Sequence, residues 1–322
     1  MIRILSFAAA LVGLTALAAQ PAMADNVKVT PLGGQDGEFC LLDRALVFED
    51  PDGTRILYDP GITVRGPDDP RLGKIDAVLL SHVHWDHLGS VHAGAANAGK
   101  CGAPDRSVKD APSSNTEKIV IAKKAKFLLG GEMNSFFAKR IAAHGGDKKQ
   151  VITLRFGADS KVGGVTFWSV PAVHSNGLEA QFLEGNLAKE LEENGLTAYV
   201  GPPGGYVLRF SNGLTVYLSG DTGVTAEQDL VVRQQFGAKL AVINIGGTFT
   251  TGPTEAAYVI NELVKPNEVI ASHANEVATK DGKLLPNTKT AKFKAAVKVP
   301  VHVPLSGKTM EFSADGKCVG GC

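Results

Sequence analysis

Apolar residues along this chain fall mostly in short runs, punctuated by glycine, proline, asparagine and aspartate. Runs of that length with β-branched and aromatic residues predict strands rather than helices. Strands are expected over residues 27–30, 45–49 and 55–58, the last two flanking Asp50-Pro51-Asp52-Gly53, a hairpin signature. Residues 75–81 are apolar at nearly every position, the pattern of a strand covered on both faces. Further strands are expected over 151–155, 165–170, 206–210, 215–218, 240–245, 269–271, 301–303 and 310–312, with Asn212-Gly213 turning one pair into a hairpin. Helical spacing marks 134–143 and 288–297. It also marks a segment opened by Pro253 and stopped by Pro266, in which Ala256, Val259, Ile260 and Leu263 recur on one face. Residues 93–118 are rich in Ala, Gly, Ser, Asn and Pro and read as a long exposed loop, either a lid or a surface insertion. Strands and helices mix without regular β-α-β alternation, which predicts an α+β fold of sheets packed together with helices outside.

The first residues change the picture of where the chain works. One arginine, Arg3, precedes an uncharged apolar run, and Ala22-Met23-Ala24 supplies a small-residue cleavage site. Residues 1–24 therefore read as a secretory signal peptide, with Asp25 opening a mature domain over 25–322 and no stable membrane anchor after cleavage. The expected location is the periplasm or beyond. Cys40, Cys101, Cys318 and Cys322 suit an oxidising compartment. Three pairings are possible and spacing does not choose among them; Cys40–Cys101 with Cys318–Cys322 is the preferred arrangement. Acidic and basic residues balance at 33 each, and no basic run exists, which argues against a nucleic-acid partner.

The chemistry concentrates in Ser81-His82-Val83-His84-Trp85-Asp86-His87, directly after the apolar run. His82 and His84 can point the same way from an extended chain, while Asp86 and His87 follow on a turn. Imidazole and carboxylate are the donors borderline divalent ions prefer, and this density suggests room for two ions. Three later strands each end in one such donor: His174, Asp221 and His273. The seven suffice for two sites with an open position each. His92, His144 and His302 lack ligand spacing and read as surface or packing residues, and Trp85 as packing beneath the loop. Asn275 and Glu276 are candidates to line a pocket.

His-x-His-x-Asp-His, a distant His, Gly220-Asp221-Thr222-Gly223 and a final His together resemble the metallo-β-lactamase superfamily. The branch it looks like is the metal-dependent hydrolases related to ascorbate-6-phosphate lactonase. Val170-Pro171-Ala172-Val173-His174-Ser175, Gly201-Pro202-Pro203-Gly204-Gly205-Tyr206 and Asn244-Ile245-Gly246-Gly247-Thr248 add support. The resemblance implies a four-layer αββα sandwich with His82, His84 and His174 on one metal and Asp86, His87 and His273 on the other. Asp221 would bridge them, and Asp59 would stand behind a ligand. Relatives often carry a histidine in the turn after the first strand, where this chain has Gly33-Gly34-Gln35 followed by an apparent insertion up to Asp43.

Two ions sharing Asp221 would share a water and lower its pKa, so the expected activity is hydrolysis by a metal-bound hydroxide. Asp86 and Asp221 are the expected catalytic residues. Zinc is the first choice from the nitrogen-rich donors, and manganese or iron fit the same set. The expected substrate is a small molecule with an ester, lactone or phosphodiester bond. A secreted metal-binding protein without turnover and a β-lactam hydrolase are the alternatives.

Overall fold

Successive side chains of a strand point to opposite faces, and here both faces are buried, which decides the layer order. The computed structural model describes residues 26–322, so the signal-peptide reading of residues 1–24 lies outside the described residues. Leu46, Phe48, Ile56, Tyr58, Ala77 and Leu79 face inward onto Phe167, Tyr206, Leu208, Val216 and Ile270 of a second sheet. The alternate residues Val47, Leu57, Val78 and Leu80 face outward, against Ile119, Val120, Phe137 and Ile141. On the far side, Val207, Tyr217, Ala241 and Val269 pack against Val232, Ala256, Val259, Ile260 and Phe293. The result is the four-layer αββα sandwich.

Among the described residues the first sheet has eight strands and the second seven. In the first, Arg55–Tyr58, Ala77–Leu79, Lys126–Gly130 and Val151–Leu154 run parallel. In the second, Thr215–Leu218, Leu240–Asn244, Glu268–Ser272 and Val301–His302 run parallel, and Val165–Pro171 points the same way because two antiparallel pairings intervene. This half does alternate strand with helix, contrary to the expected lack of β-α-β order. The π-type helix Gln228–Gln235 fills one crossover, Pro253–Tyr258 with its continuation Val259–Val264 the next, and Lys289–Ala296 the last. The polar content of Gln228–Gln235 hid it from periodicity.

Segment 93–118 is only partly loop. Gly99–Lys100 pairs with Ala103–Pro104, and the helix Asn115–Lys123 begins inside the segment, capped by the Ser114 hydroxyl accepting the Glu117 N–H. Its first turn buries Asn115, Thr116 and Glu117. These stay buried because they are paired: Asn115 Nδ2 donates to the Gly61 and Val64 carbonyls, and Arg140 bridges to Glu117. The structure closes disulfides between Cys40 and Cys101 and between Cys318 and Cys322. Among the described residues no helix is long and apolar enough to cross a membrane.

The two sheets are joined at the edge that matters by one buried hydroxyl, since Tyr206 donates to the carbonyl of Leu80, and by Gly204 N–H donating to the Ser81 carbonyl at 3.1 Å. Tyr206→Phe keeps the ring and orphans a buried carbonyl. It should cost about 1–2 kcal/mol, measured as a lower urea midpoint at unchanged m-value.

Candidate metal centre

Strands that run the same way end at the same edge, and both sheets present that edge to one place. His82, His84, Asp86 and His87 follow Ala77–Leu79; His174 follows Val165–Pro171; Asp221 follows Thr215–Leu218; His273 follows Glu268–Ser272. His84 is still extended at ψ 148°, and Trp85–Leu88 forms a single helical turn that swings Asp86 and His87 back toward the strand end. Gly61 must be glycine here: its φ is +50°, and an added Cβ would lie 2.2 Å from the Asp86 carbonyl oxygen. His273 holds φ +49°, a left-handed conformation that a histidine seldom adopts, and Gly246 lets it fit, since a Cβ there would sit 2.5 Å from the His273 carbonyl.

All seven donors converge. His82, His84 and His174 form one group whose ligand atoms lie within 4.8 Å of one another, as do Asp86, His87 and His273, and His82, His87 and Asp221. His84 Nδ1 lies 2.9 Å from His82 Nε2 and 3.3 Å from His174 Nε2. Asp221 stands between the groups. Its Oδ2 is 3.0 Å from His273 Nε2, 3.7 Å from His174 Nε2 and 3.9 Å from His82 Nε2, and its Oδ1 is 3.4 Å from His87 Nε2.

Behind the donors, Asp59 sets the proton positions. Its Oδ2 accepts from His87 Nδ1 at 2.8 Å and from the Ser81 hydroxyl at 2.7 Å, and its Oδ1 accepts the Ser81 N–H at 2.8 Å. With its proton given to Asp59, the Ser81 oxygen accepts from His82 Nδ1 at 2.9 Å. Both His82 and His87 thus turn Nε2 to the centre. His84 does the reverse, presenting Nδ1 while its Nε2 meets the Ser175 hydroxyl at 3.3 Å.

Charge is distributed unevenly among the imidazoles. Burial, then the neighbouring His174 and His87, push His84 down to about 4, and burial followed by His87 pushes His82 lower than its ordinary value as well. Burial works against the His87 cation too, but the carboxylates of Asp221, Asp86 and Asp59 overcome it and raise His87 to about 10. For Asp221, burial is outweighed by His273 and His87, which hold its carboxyl well below the usual range; for Asp86 the opposing charges are His87 and Arg44.

The arrangement fits divalent ions on an observation independent of the motif. Among the described residues, His87 Nε2, Asp221 Oδ1 and both ring nitrogens of His273 are buried without a hydrogen-bond partner. Buried polar atoms are normally satisfied. Three of these orphans, His87 Nε2, Asp221 Oδ1 and His273 Nε2, face the same centre, an arrangement that cation coordination would complete.

Several participants have no local signature in the sequence. Arg44 enters from the connection between the first two strands and donates through Nε and Nη2 to Asp86 Oδ2 at 3.0 and 2.9 Å. Asn176 ties the metal loop to the second sheet by accepting the Val83 N–H and donating to the Gly201 carbonyl, both at 2.9 Å. Asn244 pins the segment after Asp221 by donating to the Thr222 carbonyl at 3.1 Å and the Thr251 hydroxyl at 2.8 Å. Ser81 had a signal, its place directly before the motif.

A cavity of about 680 Å³ opens over the donors, with Leu41, Leu42, Trp85 and Phe249 supplying an apolar wall and Ser175, Asn275 and Lys289 polar points. Trp85 therefore lines the cavity rather than packing beneath the loop, because the one-turn helix rotates it outward. The Cys40–Cys101 bond places the wall residues Leu41 and Leu42 beside segment 93–118. Asn275 lines the cavity, whereas the Glu276 carboxylate accepts the Lys289 and Thr290 N–H groups at the start of Lys289–Ala296. The other histidines stay away: His92 is buried against Asp110 at 3.2 Å, His302 pairs with Glu268 at 2.6 Å, and His144 ends a helix at the surface.

Residues 54–274 match the family described as the β-lactamase superfamily domain. The chain is 28% identical over 288 residues to a UPF0173 metal-dependent hydrolase of Cupriavidus necator, covering 88% of each protein. It is 30% identical over 233 residues to a UPF0173 metal-dependent hydrolase of Myxococcus xanthus, covering 71% of this chain and 67% of that one. Among solved structures it is similar in fold to Igni18, a metallo hydrolase of Ignicoccus hospitalis. The TM-score is 0.57 at 22% identity, over 89% of this chain and 99% of that one.

Proposed function

This chain belongs to the β-lactamase superfamily, and on that basis we propose that it is an exported metal-dependent hydrolase. It would hold two divalent ions and cleave an ester, lactone or phosphodiester bond in a small molecule. One observation carries the reading: buried Asp221 turns one oxygen toward His273, His174 and His82 and the other toward His87, so a single carboxylate serves both donor groups. When bound, two such ions supply Lewis acidity toward the substrate oxygen and acidify a water, zinc suiting the donors first and manganese or iron also fitting.

The chain's own groups prepare this chemistry. Asp59 and Ser81 hold the His82 and His87 rings with Nε2 toward the centre, so no ring has to reorient. Burial keeps His82 and His84 unprotonated, while His87 would have to give up a proton for an ion to bind. Leu41, Leu42, Trp85 and Phe249 shield one side of the centre from water and suit a substrate with an apolar body. Two disulfides support export, since such bonds persist in oxidising compartments. The protein recovered from periplasm or medium should begin at Asp25 on amino-terminal sequencing.

Elemental analysis of the purified protein followed by an ester, lactone and phosphodiester panel tests the activity. The expected result is two ions per chain and turnover on one class, abolished by chelation and restored by metal. Full metal content with no turnover on any class would favour a metal-binding protein. A chromogenic cephalosporin is expected to stay intact, and its hydrolysis would move the assignment to β-lactams.

A further inference from the structure

Asp86 is a shared ligand. The same Oδ2 that takes both Arg44 hydrogen bonds faces His87 Nε2 at 3.6 Å and His273 Nε2 at 3.5 Å. The Arg44 side chain is only 3% exposed. Two of its three remaining N–H groups are occupied, Nη2 donating to Asn275 Oδ1 at 2.7 Å and Nη1 to the Asp43 carbonyl at 3.4 Å. The backbone leading to it is also anchored: the Asp43 carboxylate accepts the Gly34 and Cys40 N–H groups, both at 2.8 Å, and Cys40 is disulfide-bonded. The guanidinium is therefore buried and anchored against Asp86.

A guanidinium and a divalent cation compete for the lone pairs of one oxygen and repel each other. The position built from His82, His84 and His174 has no carboxylate except the shared Asp221. The position built from Asp86, His87 and His273 has one carboxylate more, and on charge alone it would be the tighter. Arg44 cancels that advantage. We propose, on the two-ion reading above, that Arg44 is a positioning residue that ranks the two positions. The first ion settles on His82, His84 and His174, and the second binds beside Asp86 more weakly.

Zinc titration of the metal-free protein at fixed pH, by calorimetry with elemental analysis of the end point, tests this. Two resolved steps are expected. Arg44→Met should tighten the second step at least about tenfold while the first moves little, a change on the scale seen for groups around metal ligands but of opposite sign. Arg44→Lys, which keeps the charge, should keep the steps apart. An Arg44→Met second step that is unchanged or weaker overturns the proposal. Two variants locate the steps without touching Arg44: His84→Ala should remove the tight step and His273→Ala the loose one, and the reverse assignment also overturns it. Two ions bound with unaltered ranking defeats the proposal alone, whereas one ion at saturation in both wild type and Arg44→Met defeats the two-ion reading with it.

Discussion

Asp221→Ala should lose at least one of two ions per chain by elemental analysis and lower turnover by roughly a thousandfold or more, the scale of removing several kcal/mol of metal-supplied stabilisation. The expectation follows from position. Asp221 faces both groups, with Oδ2 3.0 Å from His273 Nε2 and 3.7 Å from His174 Nε2 and Oδ1 3.4 Å from His87 Nε2. Removing it leaves the His82, His84, His174 group without any carboxylate and the other group with an Asp86 that is already bound to Arg44. Asp221 hangs after a strand whose residues Thr215, Val216, Tyr217 and Leu218 are all buried, so the scaffold should survive. An unaltered near-ultraviolet circular dichroism spectrum would separate loss of the centre from loss of the fold. Wild-type turnover in this variant would contradict the bridging role.

Metal uptake should release one proton per chain near neutral pH, and affinity should rise about tenfold per pH unit from pH 7 toward pH 10, then level off. The source is His87. Burial disfavours its cation, but Asp221, Asp86 and Asp59 raise its pKa to about 10, so the metal-free protein carries a proton there. Asp86 and Asp221 have already lost theirs, and His82 and His84 are neutral, so none of these four competes. The same shift has a consequence for stability. A histidine whose folded pKa is raised above about 6.5 stabilises the fold fully below that value, and the contribution fades as pH rises through about 10. The metal-free protein should therefore lose thermal stability between pH 7 and 10, and the metal-loaded protein should lose less. Calorimetric titration in buffers of different ionisation enthalpy counts the proton. Uptake that is independent of buffer and pH would show that His87 is neutral before metal arrives.

Much of the fold was legible because both sheets are covered on both faces. That makes strands such as Ala77–Leu79 and Leu240–Asn244 nearly continuous apolar runs, bounded by residues that turn the chain. The elements that escaped detection are those whose burial rests on pairing rather than on apolar surface. Asn115–Lys123 opens with Asn115, Thr116 and Glu117, each buried through hydrogen bonds, so no apolar stripe announces it. The strand Lys126–Gly130, next to the sheet edge, gives no clear signal because its three buried residues are too few to stand out beside the preceding lysines.

For the centre, the division is sharper. His82, His84, Asp86 and His87 are close in the chain, so a strand end and one helical turn are enough to cluster them, and local sequence carries that information. His174, Asp221 and His273 could be read only as donors at strand ends, because whether three distant strand ends share an edge depends on the direction of every strand between them. Arg44 had no readable signal at all: it is an arginine in a connection, and only the packing of two sheets places its guanidinium against Asp86. The sequence by itself determined which atoms can bind a cation, since donor chemistry belongs to the residue. The tertiary structure decided which carboxylate lies between the two groups, which imidazole the surrounding carboxylates favour for a proton and which carboxylate Arg44 holds, since those depend on distances and burial that no local pattern encodes.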